Sequence, residues 1–271
     1  MMGSRARRVA VLVVAVAAAL AWLLPYAWMV VTSFKTLDEI LAHPAGALPF
    51  HPSLQAYREV FQAVSVGRYA LVTATMAGAI AGLQIALALP AGYALAKLRF
   101  VGRRFATGAV LACLFVPAQA TFVPVFLLFA RMRLVDTMVA LVLPFAASAL
   151  GTLLVRQALQ SVPDEIVEAA RMDGASEWTI IYRILAPALT PTLISLFLVS
   201  FVFHYNDYFW PLVMTTDDTV RTLPLAIALL REQGTGVRWH IVMAGNVVLS
   251  LPIMVLFAVL QRHLVRAVGW R

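Results

Sequence analysis

Residues Ser161–Pro191 read SVPDEIVEAARMDGASEWTIIYRILAPALTP. Asp164, Glu165, Glu168, Asp173 and Glu177 lie here, five of the chain's 13 acidic residues. Ser161-Val162-Pro163-Asp164 matches a helix start, with Ser161 as the cap and the proline in the first turn. Asp164, Glu165, Glu168, Arg171 and Met172 then share one helical face, and Ile166, Val167, Ala169 and Ala170 the other. Asp173-Gly174 stops that helix, Gly174 being free to take a left-handed conformation. Ser176 caps a second helix, Glu177–Ala186, whose wide apolar face carries Trp178, Ile180, Ile181, Tyr182, Ile184 and Leu185. Pro187 and Pro191 end it. By shape alone this is a helix–glycine turn–helix elbow, an amphipathic connector of the kind that lies on membrane surfaces.

The surroundings of the elbow are lipid-soluble. Hydrophobic residues make up 62% of 271 positions, and the mean hydropathy is +0.87. A helix needs about 17–25 mainly apolar residues to cross a bilayer. Charge-free intervals of that order run Val9–Phe34, Tyr69–Ala96, Phe105–Ala130 and Thr137–Val155 before the elbow, and Ile184–Asn206 and Trp239–Gln261 after it. Ile40–Tyr57 is also uncharged, but three prolines and two histidines exclude it as a span. Backbone groups in lipid must pair within their own segment, so the spans are expected as helices. The fold class is therefore all-α, a polytopic membrane protein with six transmembrane helices. The first apolar run exceeds a signal-peptide core and reads as a span.

The net charge is +8. With the N-terminus in the cytoplasm, 13 of the 21 Lys and Arg residues fall on inner segments and 8 on outer ones, as the positive-inside rule requires. The asymmetry is clearest at Lys97–Arg104, and it puts both termini and the elbow in the cytoplasm. The basic balance thus reports topology and not nucleic-acid binding. The lone Cys113 forms no internal disulfide and reads as packing in the third span. No zinc or thioredoxin-type cysteine spacing is present.

Several intramembrane residues invite two readings each. Gly78 and Gly82 in the second span would let a neighbouring helix approach closely, and Gln84 suits a helix–helix hydrogen bond. Pro117 and Pro124 bracket Gln119 in the third span, giving either a kink or a broken helix lining a cavity. Tyr205-Asn206-Asp207-Tyr208-Phe209-Trp210 closes the fifth, either as an interfacial aromatic belt with one solvated acid or as a path lining. His240 and Asn246 share that ambiguity. Between Ser33 and Arg68 the chain is broken by prolines, with a short surface helix near Leu54–Phe61. Thr215–Arg238, with Gly234 and Gly236, reads as an outer turn-rich loop.

The letters of the elbow narrow its meaning. Glu168-Ala169-Ala170, Asp173-Gly174-Ala175, Ile184 and Pro187 resemble the EAA signature of permease subunits of binding-protein-dependent ABC importers. Ala186 stands where that family usually has Leu. The elbow's place between the fourth and fifth spans matches too. Pro117-Ala118-Gln119, Pro124, Leu134-Val135-Asp136-Thr137, Leu143-Pro144-Phe145 and Tyr205–Pro211 resemble runs of the carbohydrate branch, most closely the second permease subunit of the maltose-transporter type. Ser33-Phe34-Lys35 gives only a loose match near the start.

The resemblance implies a type I ABC importer permease fold, with residues 1–271 as a single transmembrane domain and a coupling loop at about 161–187. It also implies a role. Glu165, Glu168, Ala169, Ala170, Asp173 and Gly174 would dock against a separate ATPase, while Gln119, Tyr205, Asn206, Asp207 and Trp210 are candidates for the translocation path. The chain would carry no cofactor or metal, ATP and Mg being bound by the ATPase, and it would be no enzyme itself. Its partners would be a second permease subunit, two ATPase subunits, an extracytoplasmic solute-binding protein and membrane lipid, in a prokaryotic inner membrane. The chain contains no G-x-x-x-x-G-K-[ST] phosphate loop. The competing reading, an ion-coupled secondary carrier, calls for an internal repeat and midplane ionisable groups, and neither is evident.

Overall fold

The computed structural model describes the chain except Met1, Pro44, Ala45, Ala47, residues 231–237 and residues 269–271, and the side chains of 2–6, 118–119 and 260–268. Among the described residues every regular element is helical. They run α1 (Met2–Ser33), α2 (Leu37–Ala42), α3 (Gln55–Ala63), α4 (Val66–Lys97), α5 (Arg103–Cys113) and α6 (Ala118–Arg131). Next come α7 (Met138–Val142) with a 3-10 turn at Leu143–Phe145, α8 (Ala149–Gln160) and α9 (Asp164–Met172). Then α10 (Glu177–Thr179) passes through a π-helical turn, Ile180–Leu185, into α11 (Ala186–Ala188). The chain ends with α12 (Thr190–Tyr205), α13 (Phe209–Met214), α14 (Leu223–Leu230) and α15 (Trp239–Val268).

Three stretches are long and apolar enough to span a bilayer unbroken: Arg7–Ser33, Val66–Lys97 and Trp239–Val259. Two more pass as bent pairs. Met138–Phe145 meets Ala149–Gln160 at 46°, and Glu177–Ala188 meets Thr190–Tyr205 at 84°. The expected six spans therefore appear as three continuous helices, or five with the bent pairs. The third interval is the exception. The helix stops after Cys113 and restarts at Ala118 behind Pro117, so of its two readings the broken helix is the one found. Pro124, by contrast, sits inside α6. Cys113 is exposed at the break, not packed as expected.

The chain divides into two compact units, Met1–Gly67 with Ala226–Pro252, and Arg68–Leu225 with Ile253–Arg271. In the first, α3 turns Ala56 and Val60 inward while Leu54 and Phe61 stay exposed. Glu59 of α3 pairs with Arg238 at 3.0 Å, just before α15. Gly245 of α15 lies so close to Ile227 that a Cβ there would come within 2.9 Å of its Cγ2. The expected outer loop after Thr215 contains α14, whose Leu223, Leu225, Ala226, Ile227 and Leu230 are buried. Gly234 and Gly236 of that loop lie outside the described residues.

The second unit has two apolar clusters. One gathers Met76, Ile80, Phe129, Leu141, Trp210 and Met214 from α4, α6, α7 and α13. The other joins Leu89 and Tyr93 of α4, Val155 and Leu159 of α8, Val167 and Ala170 of α9, and Ile180, Ile181 and Leu185 of the π-turn. Close helix approach occurs at Gly92, where an added Cβ would lie 2.7 Å from Val155 Cγ1 and 3.0 Å from the Arg156 amide nitrogen. It does not occur at Gly78 or Gly82, which have open space around them. Gln84 does make the expected helix–helix bond, its Nε2 donating to the Phe145 carbonyl at 2.9 Å. That carbonyl lies in the 3-10 turn at the break between α7 and α8, where regular pairing lapses.

Candidate functional site

The elbow forms as a helix, a left-handed turn and a second helix, but its fastenings differ from those the sequence suggests. Ser161 does not cap α9. Its hydroxyl donates back to Ala158 at 2.7 Å and closes α8, while Pro163 stands before α9 with no side-chain cap bond. The start of α9 is held by Lys97, at the C-terminus of α4. The Lys97 ammonium donates to the Val162 carbonyl at 2.5 Å and pairs with the Asp164 carboxylate. That ion pair holds the Asp164 carboxyl below its usual range, through the hydrogen bond first and then the charge.

The end of α9 is a Schellman turn. The Ala175 amide donates to Ala170 and the Gly174 amide to Arg171, both at 3.0 Å, with Gly174 at φ +78°. Ser176 caps the next helix as expected, accepting from the Thr179 amide at 3.3 Å. Arg171 reaches across the turn to Glu177 at 2.9 Å, and buried Tyr93 of α4 donates to the other Glu177 oxygen at 2.6 Å. Arg171 also donates to the Tyr93 hydroxyl at 3.0 Å, closing a three-membered ring of contacts. The Arg171 bond, reinforced by Tyr93, pulls the Glu177 carboxyl down, and the same Glu177 bond raises the guanidinium.

The apolar faces are narrower than the helical pattern suggests. Of α9 only Val167 and Ala170 are buried, leaving Ile166 and Ala169 on the surface with Met172, which is 88% exposed. Glu165, Glu168, Asp173 and Gly174 are exposed with them. The second helix buries Ile180, Ile181 and Leu185, while Trp178 and Tyr182 stack on each other outside at 5.7 Å. The departure from α-helical winding explains this shift. The Ala186 amide bonds to the Ile181 carbonyl, five residues back, immediately before Pro187. A proline ring collides with the carbonyl four residues earlier in an α-helix, and a widened turn relieves the collision. Tyr182 is tied by its hydroxyl to the Ala86 carbonyl of α4 at 2.9 Å.

At the end of α12, Tyr205 and Trp210 are buried and Asn206 is exposed. The Trp210 indole donates to the Ala140 carbonyl at 2.9 Å and lies edge-on to Phe122 and Phe145. Tyr205 stacks on Phe201 at 5.5 Å. The Asn206 amide folds back onto the Val202 carbonyl at 2.8 Å, and half-exposed Asp207 accepts from the Trp210 amide at 3.3 Å. His240 is buried and Asn246 half-buried, both in α15. Gln119 lies in the first turn of α6, and its side chain is outside the described residues. Asp136 sits with φ +62° beside this region. It accepts from the Thr216 amide and hydroxyl and the Asp217 amide, and those bonds, the Thr216 hydroxyl first, hold its carboxyl low.

The family model for binding-protein-dependent transport system inner membrane components matches residues 88–270, which take in the whole elbow and the α12–α13 segment. The chain belongs to this family. This inner membrane component is 33% identical over 174 residues to the arabinooligosaccharides transport system permease protein AraQ of Halalkalibacterium halodurans, covering 64% of this chain and 62% of that one. It is 32% identical over 192 residues to the sn-glycerol-3-phosphate transport system permease protein UgpE of Yersinia pestis, covering 70% and 68%. It is 29% identical over 248 residues to the lactose transport system permease protein LacG of Rhizobium radiobacter, covering 89% and 88%. Its fold is that of a chain from a bacterial ABC transporter involved in the import of the acidic polysaccharide alginate, with TM-score 0.82 and 21% identity over 97% of this chain and 98% of the other.

Two residues of the elbow's frame escape a reading of the loop alone. Tyr93 and Lys97 lie four apart on one face of α4, in its last turns. A tyrosine and a lysine so placed at the mouth of a span, opposite an acidic loop, are the signal that could have found them.

Proposed function

We propose that this chain is a permease subunit of an ATP-driven importer for a sugar or sugar-like solute. It forms half of the translocation path with a second permease subunit and is driven through α9 by a separate ATPase. The observation that supports the driving role is the combination at α9. Its outer face, Glu165, Ile166, Glu168, Ala169, Met172 and Asp173, is uncovered, while its inner face and both ends are fixed to α4. A short helix presented outward and fastened at its base transmits displacement. Ala170 packs inward and sets the depth of the helix instead of touching a partner. The sugar or sugar-like class follows the relatives above, permeases for arabinooligosaccharides, lactose and sn-glycerol 3-phosphate.

On this reading the whole chain is one permease domain. Two ATPase subunits bind ATP and Mg, an extracytoplasmic binding protein delivers the solute, and both ends of the chain face the cytoplasm of a prokaryotic cell. Along the path, exposed Asn206 and half-exposed Asp207 are the polar groups, next to buried Tyr205 and Trp210, whose backbone amide holds the Asp207 carboxylate. The deciding experiment reconstitutes the assembled transporter with Glu168→Lys or Gly174→Asp. Both variants insert, yet binding-protein-stimulated ATP hydrolysis and uptake separate, uptake falling about tenfold or more for a lost charged contact of 1.5–3 kcal/mol. Wild-type uptake and ATPase stimulation in both would refute the coupling role.

A further inference from the structure

The first unit has a half-open cavity of about 140 Å³ where the Ser33 end of α1 meets the Trp239 end of α15. Its walls are the Trp28 and Trp239 indoles with Ile40 and Met243, and its polar groups are Thr32 and Lys35. Both polar side chains are more than nine-tenths buried, Thr32 at 6% and Lys35 at 3% exposure. The Lys35 ammonium donates to the Gly46 carbonyl and lies 5.1 Å from the Trp28 ring centroid. Among the described residues it has no carboxylate at ion-pair distance, and no acidic side chain lines the cavity. The Thr32 hydroxyl has no hydrogen-bond partner among the described residues.

A buried ammonium with one carbonyl and one ring face is short of a counter-charge, and a buried hydroxyl without a partner is short of a bond. One oxyanion reaching both would supply the charge and the bond. A neutral sugar would bring many hydroxyls to a cavity with two polar groups, leaving most unpaired. The volume admits several water-sized atoms, each needing about 10–15 Å³. Both flanking stretches, Arg7–Ser33 and Trp239–Val259, are of spanning length, so the cavity lies where span ends and indole rings mark the membrane–water boundary.

We propose that this cavity is a binding site for a phosphate oxyanion, held by the Lys35 ammonium and the Thr32 hydroxyl, with the apolar part of the same molecule against Trp28 and Trp239. A phospholipid headgroup and a free phosphate both present that chemistry. The test uses the assembled transporter in detergent, stripped of lipid and then given phosphatidylglycerol or inorganic phosphate. Bound lipid is counted by native mass spectrometry and phosphate is followed by tryptophan fluorescence. Wild type binds, Lys35→Met weakens binding about tenfold or more, Lys35→Arg retains most of it, and Thr32→Val weakens it about threefold to tenfold. Phosphatidylglycerol that inorganic phosphate does not displace identifies a lipid site, and displacement identifies a free-phosphate site. No binding to wild type, or equal binding by wild type and Thr32→Val, overturns the proposal even if Lys35→Met does not assemble.

Discussion

Tyr93 carries more of the elbow than its place in an apolar span suggests. Its hydroxyl serves Glu177 and Arg171 together, and removing it leaves two charged groups to each other and to solvent. Because Arg171 and Glu177 are about half exposed, the net loss in Tyr93→Phe is modest, about 1 kcal/mol after screening. The expected outcome is faster amide exchange across 171–177 with exchange in the α4 core unchanged. Acid acts on the same contacts. The Asp164 and Glu177 carboxyls sit below their usual values near 4, so their contribution is complete above that range. It is lost as pH falls through their lowered folded values. Exchange in α9 should therefore accelerate below about pH 4 in wild type, whereas Lys97→Met should exchange faster already at neutral pH and lose the Asp164 share of that acid response. Wild-type exchange at neutral pH together with an undiminished acid response in Lys97→Met would contradict the ion pair's role. Both partners are plain letters in the sequence, but only the fold shows that residues 67 and 84 positions apart meet.

At the scale of elements, the small residues of α4 divide into those that permit packing and those that do not. Gly92 accepts α8 so closely that a Cβ strikes Val155 Cγ1 and the Arg156 backbone, which cannot swing aside. Gly92→Ala should cost about 1–3 kcal/mol, as overpacked cores do. Gly82→Ala should leave stability unchanged or raise it, since nothing lies within 4 Å and alanine favours helix. Thermal unfolding of the two variants in one detergent checks the contrast, and equal midpoints would sink it. The glycine spacing in the sequence points to Gly78 and Gly82 because periodicity registers a pair, whereas Gly92 acts alone. The helical pattern likewise places Ser161 correctly near a helix end but on the wrong helix. A cap residue between two helices serves whichever terminus has its backbone within reach, and that depends on the turn at Val162-Pro163. The exposed Trp178–Tyr182 pair was hidden for a related reason: a 100° wheel cannot anticipate a π-turn.

For the whole molecule, the apolar intervals made the all-helical membrane class legible because hydrocarbon leaves the backbone few alternatives. They did not show where helices break. Pro117, Pro144 and Pro187 stand at or beside the interruptions, yet Pro25, Pro90, Pro124 and Pro252 lie within helices. A proline's effect depends on whether neighbours or solvent take the freed carbonyl, as the Trp210 indole does at Ala140, four residues before Pro144. Topology is the testable quantity at this scale. On a Cys113→Ser background, Val101→Cys in the loop after α4 should react with an impermeant thiol reagent from the cytoplasmic side alone. Thr219→Cys should react from the opposite side alone. The reverse pattern would invert the charge-based orientation.

Compliances add along elements in series, whereas stiffnesses add for elements in parallel. A connector held only by its covalent neighbours α8 and α12 would be a series spring, with its softest point at the 84° bend after Ala188. Lys97, Tyr93 and the Tyr182 hydroxyl bolt a second member alongside it. Load applied to α9 is thereby shared with a 32-residue helix, and the bend is free to turn without being the part that bears the strain.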